Sequence, residues 1–108
     1  MKFVEVKLSE VSKDNVYEPS YMMYYANILN ASPGTIYNIY FDQGEVVSIQ
    51  IGATGAYCIP ISNHPIGKIE LISGDINKNA ILQYGYYDTS VPDNFSYISN
   101  ITLVDEMG

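Results

Sequence analysis

The chain of 108 residues has no arginine, and its only strong cations are five lysines set against twelve aspartates and glutamates, a net charge of −7. Proteins that grip a phosphate backbone do so with Lys and Arg in numbers. Nucleic-acid binding is therefore excluded, and so is a general attraction to anionic membrane. A single cysteine, Cys58, excludes an intramolecular disulfide and any Cys-rich metal knuckle. No apolar run approaches the roughly 18 to 20 residues that a bilayer helix needs. The first residues, MKFVEVKLSEV, carry Glu5 and Glu10 inside an alternating pattern and lack the unbroken apolar region of a secretory signal. Synthesis in the cytoplasm is expected, which leaves later assembly into an exported particle open.

Hydrophobic residues make up 47% of the chain and charged residues 16%, so disorder is not expected. Residues 1–108 read as one domain, large enough to bury a core of its own. Its densest pattern runs from Thr35 to Ile72 as four consecutive strands. Apolar side chains alternate at Tyr37, Ile39 and Phe41, then at Val47, Ile49 and Ile51, as one-sided burial of a pleated strand requires. Asp42-Gln43-Gly44 between them fits a three-residue hairpin loop, closed by a glycine in the left-handed region. Gly52-Ala53-Thr54-Gly55 makes a second turn before Tyr57, Ile59 and Ile61. Pro60 lacks a backbone donor and puts that strand at a sheet edge or beside a bulge. Asn63-His64-Pro65 turns the chain again into Ile66 to Ile72, where Ile69 and Leu71 share one face and Lys68 and Glu70 the other. Burial is expected for Ile39, Phe41, Ile49, Ile51, Ile59, Ile69 and Leu71.

Upstream, Phe3 to Leu8 alternates and reads as a strand, and Ser9 to Ser20 is a polar connection. Tyr21 to Leu29 is compatible with a short helix or a strand. Its tyrosines favour a strand, with Asn30 to Gly34 as a five-residue hairpin loop leading on to Thr35. Downstream, Ala80 to Tyr87 is a strand with Leu82, Tyr84 and Tyr86 on one face, and Phe95 to Val104 is the last. Seven or eight strands at such spacing predict an all-β antiparallel β-sandwich, Ig-like or jelly-roll-like.

Candidate chemistry is sparse. Cys58 and the only histidine, His64, would need hydrogen-bond contact and an orienting group to form an activated thiol. The ordinary reading of Cys58 is a small hydrophobe on a strand. Asp75 to Asn79 opens like a calcium loop, but Ala80 and Tyr86 stand where the glycine and the bidentate glutamate belong, so it reads as a polar turn. Gly52 to Gly55 lacks the lysine and helix of a phosphate-binding loop. The Asn-x-Ser/Thr sequons at Asn30, Asn94 and Asn100 follow from a chain rich in Asn and Ser. No catalytic residue, metal or cofactor is expected.

Eleven tyrosines are the conspicuous feature of the composition. Most suit strands and core. Tyr24 with Tyr25 and Tyr86 with Tyr87 are adjacent pairs, so one member of each leaves the core. These four residues are the candidate contact surface, for protein or for a stacked sugar ring.

The segment VVSIQIGATGAYCIPISNHPIGKIELI, with its GxTGxY turn between strands at Gly52 to Tyr57, resembles hairpins in small β-sandwich structural proteins of tailed bacteriophages and prophages. The resemblance implies a non-enzymatic virion component: a capsid decoration protein, a tail or baseplate subunit, or a fibre domain. Its partners would be other virion proteins or further copies of itself, and its location the virion. The alternative is a carbohydrate-binding or adhesion-type sandwich module that takes a glycan on its tyrosines.

Overall fold

A computed structural model describes residues 1–59, 64–74 and 79–88. The expected last strand, Phe95 to Val104, lies outside them, as do Pro60, Ile61, most of the Asp75 to Asn79 loop and the sequons at Asn94 and Asn100. The described chain is almost all β. Its strands are β1 (Lys2–Lys7), β2 (Val16–Tyr17), β3 (Tyr25–Leu29), β4 (Ile36–Phe41), β5 (Val46–Gln50), β6 (Tyr57–Ile59), β7 (Ile66–Ser73) and β8 (Ile81–Tyr86), with one helical turn, α1 (Leu8–Val11), after β1.

The strands form two antiparallel four-stranded sheets, ordered β1-β8-β3-β6 and β2-β7-β4-β5. Among the described strands, only β4 and β5 are joined as a hairpin within one sheet. Every other connection passes from one sheet to the other, which is the path of an eight-stranded jelly roll and not of an immunoglobulin sandwich. The connection through Asn30 to Gly34 is thus no hairpin loop. With Asn30 at φ 56° and Gly34 at φ 89° it turns β3 out of the first sheet and into the second. Tyr21 to Leu29 supplies a strand, β3, rather than a helix, preceded by a two-way backbone bridge between Met23 and Ile66 (2.7 and 2.8 Å) that ties the two sheets together.

The first hairpin follows its turn chemistry. Phe41 donates to the Glu45 carbonyl (2.8 Å), Gly44 donates to the Phe41 carbonyl (3.1 Å), and Gly44 sits at φ 87°. The polar connection after β1 is more structured than its composition suggests. Leu8 leaves the strand to begin α1 and is buried. Asp14 and Asn15 (φ 53° and 66°) then form a tight turn closed by reciprocal Lys13–Val16 hydrogen bonds, and β2 follows.

The core lies between the sheets. Ile39, Ile49, Ile51, Ile59 and Ile69 are buried as their spacing predicts, together with Met23, Ile28, Leu82 and Tyr84. Phe41 and Leu71 are only partly buried, packing against this cluster from its margin. Val47 has core parity but is exposed, because β5 is an edge strand. β6 stands at the edge of its sheet and, among the described residues, pairs with β3 alone.

Candidate functional site

Aromatic side chains gather where β1 and β3 begin and β8 ends, since the antiparallel register sets Phe3, Gly85 and Tyr25 side by side across three strands. Within the sandwich at this end, the Tyr17 and Tyr84 hydroxyls meet at 2.7 Å, and Tyr86 packs against Tyr84 with ring centroids 6.1 Å apart. Tyr21 stacks on Tyr86 at 5.0 Å with an interplanar angle of 15°. These four tyrosines, with Val4 and the Glu18 to Ser20 segment, line an open cleft. Burial pushes the Tyr17 hydroxyl well above the ordinary tyrosine range, aided by the hydrogen bond and proximity to Tyr84.

The four tyrosines expected to form a contact surface all belong to this end, in two settings. Tyr24 and Tyr87 are each 41% exposed and meet edge to face at 5.0 Å, forming a rim. Tyr25 is half-buried on the outer face of the first sheet and meets Phe3 edge-on at 5.9 Å. Tyr86 is half-buried under Tyr21. Of the four, Tyr86 packs against the core, Tyr24 and Tyr87 form the rim, and Tyr25 lies on the outer face.

Phe3, absent from the expected site, is 70% exposed. It packs across Gly85 together with Met1: a Cβ on that glycine would fall 3.2 Å from a Phe3 ring carbon and closer still to the Met1 sulfur. Flanking aromatics commonly shield a strand glycine in this way. The signal in the sequence was the glycine itself, an interruption in an otherwise bulky strand.

Two residues further along the same outer face, Glu5, Gln83, Asn27 and Cys58 stand opposite one another across β1, β8, β3 and β6. Gln83 Nε2 donates to Glu5 Oε1 (3.0 Å), and Asn27 Nδ2 donates to the Tyr25 hydroxyl. Cys58 stands on this face of its strand, as expected, and is exposed there. His64 lies elsewhere, its Nδ1 3.4 Å from an Asp42 carboxylate oxygen on the β4–β5 loop. Cys58 stands within β6, whereas His64 precedes β7 and lies beside Asp42.

Among the described residues no three His, Cys, Asp or Glu side chains converge as metal ligands would. No helix among them is long and apolar enough to cross a membrane. No family model, curated protein or solved structure matches the chain.

Proposed function

We propose that this chain is a non-enzymatic structural protein of a tailed-bacteriophage virion, a capsid decoration, tail, baseplate or fibre component, and that it acts by protein contact through its aromatic end. The observation that carries the reading is the rim of Tyr24 and Tyr87. Two large exposed rings are held against each other on a pre-ordered sheet end, beside Tyr25 on the outer face and Tyr86 under Tyr21. Such rings offer wide, rigid contact area at low conformational cost, and they are enriched at the centres of protein interfaces. The jelly roll serves capsid proteins and lectins alike, so it supports this reading without selecting it. The virion setting rests on the resemblance of the segment around Gly52 to Tyr57.

The test is co-purification. Particles raised from the source genome should contain the protein in stoichiometric amount, and Tyr87→Ala and Tyr25→Ala should each weaken its assembly about tenfold, the equivalent of about 1.4 kcal/mol at a well-packed contact. A wild-type protein that stays monomeric in the presence of every particle component would refute the reading. One observation favours a sugar-binding role as a second reading: the polar row Glu5-Gln83-Asn27 beside exposed Phe3.

A further inference from the structure

We propose that the outer face of the first sheet, around Phe3, Tyr25, Glu5, Gln83 and Asn27, is a binding site for a neutral pyranose sugar. This site goes beyond the virion reading: it shares Tyr25 with the proposed contact but takes its other residues from a different face than the Tyr24–Tyr87 rim, and either can hold without the other.

The face has the three things a sugar ring requires. The first is an apolar platform for its C–H face, supplied by Phe3, 70% exposed, and Tyr25, in edge contact at 5.9 Å across Gly85. The second is a row of planar acceptors and donors at the spacing of neighbouring hydroxyls. Glu5, Gln83 and Asn27 are directly opposite on adjacent antiparallel strands, where side-chain origins are about 4.5 to 5.5 Å apart. The third is spare hydrogen-bonding capacity. Glu5 accepts one proton from Gln83 through Oε1, and a carboxylate offers about four lone-pair sites. Gln83 donates one amide proton to Glu5, and an amide side chain carries a carbonyl acceptor and a second proton besides; Asn27 Nδ2 bonds the Tyr25 hydroxyl. Met1, Phe3, Tyr25, Glu5 and Gln83 together border an open depression on this face.

Other occupants fit less well. A peptide adding as a strand would pair along the outer edge of β1, the edge strand of this sheet, through backbone groups and without using the carboxylate and amides that stand on this face. An acidic sugar or a phosphate would meet the Glu5 carboxylate on a chain of net charge −7. A quaternary ammonium group would be content with the rings and the carboxylate, but it would have no use for the two amides.

The test is an amide-proton NMR titration of the full chain with D-galactose, N-acetyl-D-glucosamine and maltotetraose, each at millimolar concentration, with choline chloride as comparator. Saturable shifts should appear at the amides of Phe3, Glu5, Tyr25, Asn27 and Gln83 for at least one sugar. Phe3→Ala and Glu5→Ala, both at exposed positions, should each weaken that binding about tenfold while leaving the melting temperature near wild type. The proposal is overturned if none of the three sugars shifts these amides, if the shifts fall at Tyr21 and Tyr86 instead, or if choline binds this face and the sugars do not. Because the titration uses the isolated protein, its failure says nothing about particle assembly, and absence from particles says nothing about the titration.

Discussion

Gly55 is the position at which one added methyl group should do most damage to this fold. It closes the turn that carries the chain from β5 in one sheet to β6 in the other, donating to the Gly52 carbonyl (3.1 Å) with its backbone at φ 73°. It also accepts a hydrogen bond from the Ala31 amide (2.8 Å), at the start of the β3–β4 crossing. Gly55→Ala incurs two costs. Left-handed backbone disfavours an L-residue by about 1 to 2 kcal/mol. In addition, an ideal Cβ would fall 2.8 Å from the Ala31 carbonyl oxygen, a backbone atom that cannot swing aside as a side chain does. Relieving that contact separates the two crossings and weakens the Ala31–Gly55 bond, worth about 0.5 to 1.5 kcal/mol. Together these amount to about 1.5 to 3.5 kcal/mol.

Gly44 provides the control within the same molecule. It too has positive φ, 87°, but nothing lies within 4 Å of an added Cβ. Gly44→Ala should therefore carry the backbone cost alone, about 1 to 2 kcal/mol. Both substitutions reduce the freedom of the unfolded chain in the same way, so that contribution cancels in the comparison. Urea denaturation of the two variants, read by tyrosine fluorescence, gives the difference directly. Gly55→Ala should be the less stable by about 0.5 to 1.5 kcal/mol with an unchanged m-value. Equal midpoints, or a larger loss at Gly44, would refute the close approach at Ala31.

Two other outcomes are expected. On β5, Ile49→Ala should cost about 2 to 5 kcal/mol because Ile49 is buried, whereas Val47→Ala, of the same parity but exposed at the sheet edge, should stay within about 0.5 kcal/mol; denaturant midpoints of the pair check this. The raised Tyr17 pKa favours the protonated hydroxyl in the folded state, chiefly through burial and then through its bond to Tyr84. Its contribution is therefore fully present below the unfolded value of 10.0 and is lost as pH rises above it. Stability measured from neutral into strongly alkaline solution should fall more steeply in wild type than in Tyr17→Phe.

What could be read from the sequence was local. The β4–β5 hairpin was legible because Asp42-Gln43-Gly44 carries its own turn chemistry, and the buried isoleucines because alternation is a property of one strand. Which sheet a strand joins is set by pairings far apart in the chain. Asn30 to Gly34 has the composition of a hairpin loop, and the same left-handed residues that would close one instead send the chain across the sandwich. Val47 shows a similar limit, since its parity is right for the core but it stands exposed on the edge strand β5. For the tyrosines, adjacency showed that one of each pair must leave the interior. The pairing of Tyr24 with Tyr87 and of Tyr21 with Tyr86 depends on the β3–β8 register and on where the β2–β3 connection runs. The row of Glu5, Gln83 and Asn27 was invisible for the same reason, being drawn from three strands that meet only in the folded sheet.

The two classes of aromatic residue at the end of the sandwich depend on each other. Tyr17, Tyr84, Tyr86 and Tyr21 form a chain of ring contacts that begins inside the sandwich and ends at its margin. On the same strand ends stand the residues that face outward: Tyr87 follows Tyr86, Tyr24 and Tyr25 open β3, and Phe3 lies across Gly85. Packing the inner rings fixes the backbone from which the outer ones project, and side chains held in place before binding lose less entropy when a partner or a sugar arrives. The inner set therefore acts on recognition by positioning alone. A change such as Tyr84→Phe, which removes the 2.7 Å hydroxyl contact but keeps the ring, disturbs stability more than binding. Truncating Phe3 or Tyr87 removes contact surface while leaving the ring chain intact, so the loss there falls on binding.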